Sequence, residues 1–155
     1  MVLDSTDAKI LEVLQKNCRA SVSDLSKQVN LSLSAVSERL KKLENSDIVT
    51  AYTAIINPAA MGKDLQVILQ VALENTSAAN TRALMNYVDN NPDILECHHV
   101  TGDYDYALMV TTKNTTSLEK LMSDIKNFPS VRHCSTIVIM STSKKLYSVA
   151  PVAGK

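Results

Sequence analysis

The stretch from Val22 to Lys41 constrains the fold most, because two short amphipathic segments are joined by a turn so brief that their helices have to cross. Ser21 followed by Asp24 forms a capping box: the serine hydroxyl accepts from the Asp24 amide, and the Asp24 carboxylate accepts from the Ser21 amide. Val22, Leu25 and Val29 share one face, and Asn30, which tolerates the left-handed conformation, ends the first helix. Ser32 or Ser34 caps the next, whose apolar stripe Val36, Leu40 and Leu43 falls at i, i+4 and i+7. This pattern predicts a helix-turn-helix, with the second helix offering its polar face to the major groove of DNA. Ser34, Ala35 and Ser37 are small enough for close approach to base edges, while Arg39, Lys41 and Lys42 suit phosphate or guanine contacts. Glu38 would repel phosphates but can accept from cytosine N4, and Ser23 and Ser32 complete the candidate contacts.

Around this motif the chain supplies a small helical domain. Asp4 caps an opening helix to Lys16, paired with Asp7 three residues on, and Ile10, Leu11 and Leu14 complete a three-helix core. Residues Ile48 to Ile56 are rich in β-branched side chains and carry Tyr52, the composition of a strand that forms a wing. Asn57-Pro58 opens a short turn that Met61 to Asp64 closes, which sets the expected domain boundary at 64. Charge is balanced: residues 1–64 and 65–155 each hold eight basic and eight acidic side chains. One copy of so neutral a domain binds a polyanion weakly, so several copies acting together are part of the functional reading. The N-terminus is charged from Asp4 onward and no run of about 18 apolar residues occurs, which points to a cytoplasmic protein without a membrane partner, nucleoid-associated if it binds DNA. Cys18, Cys97 and Cys134 lack paired spacing and fit reduced thiols.

From residue 65 the periodicity changes to strand, helix, strand, strand, helix, strand. Gln66 to Asn75 alternates; Ser77 to Asn90 is helical; Ile94 to Thr101 and Tyr104 to Thr112 flank the turn at Gly102-Asp103. A helix carrying Leu118, Leu121, Met122 and Ile125 is stopped by Pro129 and leads into a strand from Val131 to Met140. The order is that of a ferredoxin-like βαββαβ domain over residues 65–142, followed by a tail over 143–155, so the fold class is α+β. Apolar residues on both faces of these strands imply that another copy covers the face without helices, giving a homodimer. The hairpin has a chemistry of its own. A glycine turn exposes backbone amides to a carboxylate, and Asp103 or Asp105 can take an ammonium, so Thr101, Gly102, Asp103, Tyr104 and Asp105 offer both poles that a zwitterionic amino acid needs. Plain turn chemistry explains the same residues, and general acid–base catalysis by Asp103 and Asp105 is not supported; no enzyme is expected. Cys97, His98, His99, His133 and Cys134 do not make a metal site, because adjacent strand residues point to opposite faces and the second and fourth strands lie at opposite edges.

Several short motifs carry a resemblance in their order and spacing: Leu3-Asp4 with Asp7 and Ile10-Leu11, Asp24-Leu25-Ser26, Val29 with Leu31-Ser32, and Arg39 with Leu43-Glu44. Ile48, Tyr52, Asn57-Pro58, Glu96-Cys97-His98 and Thr101-Gly102-Asp103-Tyr104-Asp105-Tyr106 extend it over nearly the whole chain. Together they resemble the leucine-responsive and asparagine regulator (Lrp/AsnC, feast/famine) family. The resemblance implies a bacterial or archaeal transcription regulator with a winged helix-turn-helix and an amino-acid-binding domain, dimeric and assembling to an octamer, with no cofactor beyond the amino-acid effector. It also implies an effector pocket around the Gly102 hairpin between dimers, lined by Thr136, Val138 and Ile139 of a neighbouring subunit and faced by His99. Asn30 and Asp47 stand where glycine is common in similar proteins. Beside this reading stands an alternative: an amino-acid-binding oligomeric accessory protein whose helical domain is mainly structural.

Overall fold

The structure is a computed structural model that describes residues 2–74 and 78–150 and divides into two compact units. The first comprises the chain up to Ile55 together with the segment from Lys144 onward; the second is Ile56–Ser143.

The helical unit contains α1 (Ser5–Lys16), α2 (Val22–Val29) and α3 (Leu33–Asn45). Each begins where the sequence supplies a cap. The Asp7 amide donates to Asp4 Oδ1 at 2.7 Å and the Asp4 amide returns the bond to Asp7 Oδ2 at 3.2 Å. Ser21 and Asp24 repeat the arrangement on α2, and Ser32 accepts from the Ala35 amide at 3.2 Å on α3. Asn30 takes φ 56° and Asp47 φ 55°, the left-handed conformation that glycine adopts at least cost. Leu31 closes the turn between α2 and α3, its amide donating to the Ser26 carbonyl at 3.2 Å while its own carbonyl accepts from the Ser26 hydroxyl. Ile10, Leu11, Leu14, Leu25, Val36 and Leu43 form the core. Each such side chain taken out of water contributes roughly 1.5–3 kcal/mol, enough together to define the crossing of three short helices.

One expected element is not formed. The residues from Ile48 to Ile56 make no strand: the Ile48 and Val49 amides both donate to the Leu43 carbonyl, and the chain beyond has no ladder partner among the described residues. β-Branched composition permits extension, but a strand needs a neighbour, and the helical unit offers none. Instead the segment is tied by the Tyr52 hydroxyl, which donates to Glu44 Oε1 at 2.9 Å, while Ile55 and Ile56 stay about 60% exposed (60% and 59%).

The second unit opens with a single 3-10 turn, Pro58–Met61, capped by Asn57. It continues through β1 (Leu65–Leu73), α4 (Ala78–Asn90), β2 (Ile94–His99), β3 (Tyr106–Thr112), α5 (Thr115–Lys126) and β4 (Val131–Val138). The expected strand end at Asn75 and helix start at Ser77 lie outside the described residues. The sheet order is β2-β3-β1-β4 with every pair antiparallel, the βαββαβ topology in which β2 and β4 form opposite edges. Val67, Leu69 and Val71 of β1 bury against Leu84 and Val88 of α4 and Leu118, Leu121 and Ile125 of α5, so both helices cover one face. The alternate residues turn away from the helices. Ile68 pairs with Met109 on one side and with Ile137 on the other, making an apolar row across three strands of the uncovered face.

Candidate nucleic-acid interface and ligand cavity

On α3, burial of Val36 and Leu43 fixes which residues face solvent. Ser32, Ser34, Glu38, Lys41 and Lys42 are exposed, Ala35 and Ser37 are half-buried, and Ser23 is exposed on α2. Lys41 and Lys42 have no carboxylate partner among the described residues, and both remain available to an anion. Two candidates have work inside the domain. Ser32 is the cap of α3 and lies 3.0 Å from the Ser34 hydroxyl. Arg39 is half-buried, and its Nη1 lies 2.7 Å from Asp4 Oδ2 and 2.6 Å from Asp7 Oδ1, so the guanidinium joins α3 to the capping box of α1. The Asp7 amide and Arg39 together hold the Asp4 carboxyl below its ordinary range. Sequence spacing could not show this, because the partners of Arg39 lie 35 and 32 residues away. Leu33, next to these candidates, was not singled out from the sequence. It opens α3 outside the apolar stripe and is 56% exposed, a position at which an apolar side chain has no core to serve.

In the second unit the hairpin residues divide. Thr101, Gly102 and Asp103 are exposed and Tyr104 is half-buried, its ring 6.0 Å from that of His133. Gly102 has φ 119°, a conformation that side-chain-bearing residues rarely adopt. Asp105 is structural as well as charged: its Oδ2 accepts from the Leu73 amide at 2.7 Å and its amide donates to the Val71 carbonyl at 3.0 Å, which finishes β1. His99 and Asp105 line a solvent-open cavity of about 550 Å³ together with Leu73 and Tyr106 and, from α4, Ala78, Thr81, Arg82 and Met85. Arg82 has no carboxylate within ion-pair distance among the described residues, and the Thr81 hydroxyl oxygen is buried without a hydrogen-bond partner. These α4 residues were not expected from the sequence. Only an unpaired arginine on an otherwise uncharged helix turn could have pointed to them. Thr136 donates to Met122 Sδ at 3.3 Å, Val138 is 46% exposed, and both lie with Ile139 along the β4 edge, across the sheet from the β2 edge that carries His99. One chain therefore does not bring the two groups of predicted ligand residues together.

The remaining polar chemistry is structural. Burial pushes the thiol of the partly buried Cys97 up, helped by Asp89, and burial does the same for Cys134 in the core. No group of three or more His, Cys, Asp or Glu side chains gathers into a metal-binding cluster among the described residues. No described helix is long and apolar enough to cross a membrane.

Two family models match the chain: a winged helix-turn-helix DNA-binding domain over residues 3–50 and the Lrp/AsnC ligand binding domain over residues 66–149. The chain is 33% identical over 144 residues to the leucine-responsive regulatory protein of Escherichia coli, covering 92% of this chain and 88% of that protein. It is 32% identical over 143 residues to the HTH-type transcriptional regulator FL11 of Pyrococcus horikoshii, covering 92% and 93%. Among solved structures, a transcriptional regulator from Neisseria meningitidis in complex with L-methionine superposes with a TM-score of 0.90 at 30% identity, covering 96% of each chain.

Proposed function

Because this chain belongs to the Lrp/AsnC family of transcriptional regulators, we propose that it is a sequence-specific DNA-binding regulator, not an enzyme, whose assembly and operator occupancy respond to an amino acid. The observation that carries the reading is the helix-turn-helix itself: α3 exposes Ser34, Glu38, Lys41 and Lys42 along one face while its opposite face is buried. In this reading Ser34, Ala35 and Ser37 meet base edges, Leu33 can pack on a thymine methyl, and Lys41, Lys42 and Ser23 hold phosphates. Glu38 selects against a phosphate neighbour and in favour of a cytosine amino group. Arg39 acts through α1, fixing the tilt of the recognition helix.

The effector reading rests on the second unit. Arg82 and the Thr81 hydroxyl suit a carboxylate, the second Asp105 oxygen suits an ammonium, and Leu73, Met85 and Tyr106 suit an apolar side chain. The hairpin Thr101 to Tyr104 and His99 then meet Thr136, Val138 and Ile139 of another subunit, which closes the pocket only in an assembly. The apolar row Met109, Ile68 and Ile137 supports a homodimer through the uncovered sheet face, and an octamer brings hairpins and β4 edges together. Functional division at residues 3–64 and 65–142, with a cytoplasmic, nucleoid-bound protein, follows from the same reading. DNA binding separates it from the accessory-protein alternative, and the exposed unpaired lysines of α3 favour DNA. The test is fluorescence anisotropy with the DNA upstream of the chain's own gene, at fixed salt, preceded by a thermal-shift screen of the proteinogenic amino acids. A saturable, competition-resistant complex that changes with the amino acid giving the largest shift is expected; indifference to specific over random duplex would overturn the proposal.

A further inference from the structure

The C-terminal segment beyond Ser143 belongs to the helical unit, and its charge alters what that unit is. Residues 1–55 hold seven basic and seven acidic side chains and are formally neutral. The segment from Lys144 onward adds Lys144, Lys145 and Lys155 and no acid, whereas residues 56–143 hold six basic and nine acidic side chains. All the net positive charge of the DNA-binding unit therefore comes from the tail. Apolar burial does not hold the tail in place: Leu146 is 68% exposed, Tyr147 58% and Val149 77%. What holds it is Gln15 near the end of α1, whose Nε2 donates to the Val149 carbonyl at 3.0 Å and whose Oε1 accepts from the Val149 amide. A side-chain amide that satisfies both polar groups of one residue imitates the peptide of a neighbouring strand, and it fixes the chain locally without covering it. Lys145 lies with its Nζ 5.4 Å from the Tyr147 ring centroid, a contact that orders the lysine yet leaves it in solvent.

We propose that this anchored tail is a DNA-contacting element in which Lys144 and Lys145 neutralise backbone phosphates while α3 occupies the groove. The proposal rests on the DNA-binding reading above and deepens it. Two cations held on a neutral domain act where they count most, since phosphate contacts release counterions in proportion to the charges placed beside the backbone. A free tail would carry the same charge but spread it over many conformations, and Gln15 restricts that spread.

The test is full-length protein titrated with a labelled random-sequence duplex over a series of KCl concentrations. For Lys144→Gln/Lys145→Gln, the slope of log K against log[salt] is expected to become shallower by about 1.8 per chain engaged, at about 0.9 per phosphate contact, with thermal unfolding unchanged. Gln15→Leu, which keeps every charge but releases Val149, is expected to weaken binding several-fold at one salt concentration. Lys41→Gln/Lys42→Gln serves as the control for the recognition helix. If that control loses affinity while the tail variant keeps the wild-type slope and affinity, the DNA-binding reading stands and the tail proposal is wrong. If Gln15→Leu binds as wild type, the anchor plays no part and the proposal fails in that half; if wild-type protein binds no duplex even at low salt, both readings fall together.

Discussion

Arg39 shows how a residue suited to DNA can already have work inside the protein. Its guanidinium bridges Asp4 and Asp7, and Asp7 is only 3% exposed, so removing the arginine leaves a buried carboxylate without its ion-pair partner. Arg39→Ala is therefore expected to destabilise the fold by about 1–3 kcal/mol, a figure discounted from the fully buried case because the arginine is one-third exposed. Thermal unfolding measures this, and Arg39→Lys, which restores a cation on a side chain one atom shorter, is expected to recover only part of the loss. Direct loss of DNA affinity at saturating folded protein, with no change in unfolding, would return Arg39 to the interface. Asp105 presents the same duality in the second unit. One oxygen finishes β1 through the Leu73 amide, so Asp105→Ala orphans that donor and mixes stability with binding. Asp105→Asn keeps an acceptor there and removes only the charge. Calorimetric titration with the amino acid found by screening is expected to show a loss of about 1.5–3 kcal/mol, the value of a hydrogen bond to a charged group. Undiminished affinity in that variant would remove the ammonium from this cavity.

Among the elements, caps and turns carry the register of the helical unit. Asn30 sits at φ 56° between α2 and α3, where alanine pays the left-handed penalty; Asn30→Ala is expected to cost about 1–2 kcal/mol by chemical denaturation, while Asn30→Gly stays close to wild type. A second tie fixes the entry to the sheet. Lys63 Nζ lies 2.7 Å from Asp93 Oδ1, and the buried Thr112 hydroxyl donates to Asp93 Oδ2 at 2.6 Å. Burial alone would raise the Asp93 carboxyl, but the bonds from Lys63 and Thr112 outweigh it and the result is below the ordinary value. A carboxyl depressed in the folded state stabilises above its unfolded pKa and loses that contribution as pH falls through the folded value. The difference in melting temperature between wild type and Asp93→Asn is thus expected to be constant near neutrality and to close below about pH 4. A difference that persists undiminished in acid would show that the charge of Asp93 is not what the tie uses. What could be read from the sequence follows the same line. Ser21 with Asp24, Asp4 with Asp7 and the 3.6-residue stripes announce their structures locally, and the alternation in β1 announces its buried face. Ile48 to Ile56 had the composition of a strand but no partner to pair with, and composition does not contain the partner. The α4 wall of the cavity was hidden for a related reason: Thr81 and Arg82 become neighbours of Asp105 only after the sheet has been built.

At the scale of the molecule, a chain with no net charge is made of a helical unit with three excess cations and a sheet unit with three excess anions, counted over residues 1–55 with 144–155 and over 56–143. In the assembly proposed above, repulsion between anionic sheet units is opposed by apolar contact, for which the row Met109, Ile68 and Ile137 on the face that no helix covers is the candidate surface. Ile68→Glu is expected to shift the assembly toward monomer in sedimentation velocity and to weaken DNA binding with it, because single helix-turn-helix units no longer act in concert. An unchanged sedimentation coefficient would mean that another surface joins the copies. If an amino acid then alters operator affinity by acting on the assembly, the effect has to be mutual. Whatever factor the effector imposes on the dissociation constant for DNA, saturating DNA must impose the same factor, in the same direction, on the dissociation constant for the effector. The measurement is a pair of titrations: anisotropy of operator DNA with and without effector, and calorimetry of the effector with and without operator. For couplings of the usual size, about 1–3 kcal/mol, each arm should move by roughly 5- to 150-fold. Equal factors are expected for wild type, and both should fall toward one in Ile68→Glu, since a chain that cannot assemble has no second state for either ligand to prefer. A full response to effector in that variant would place the switch within the single chain and refute assembly as its carrier.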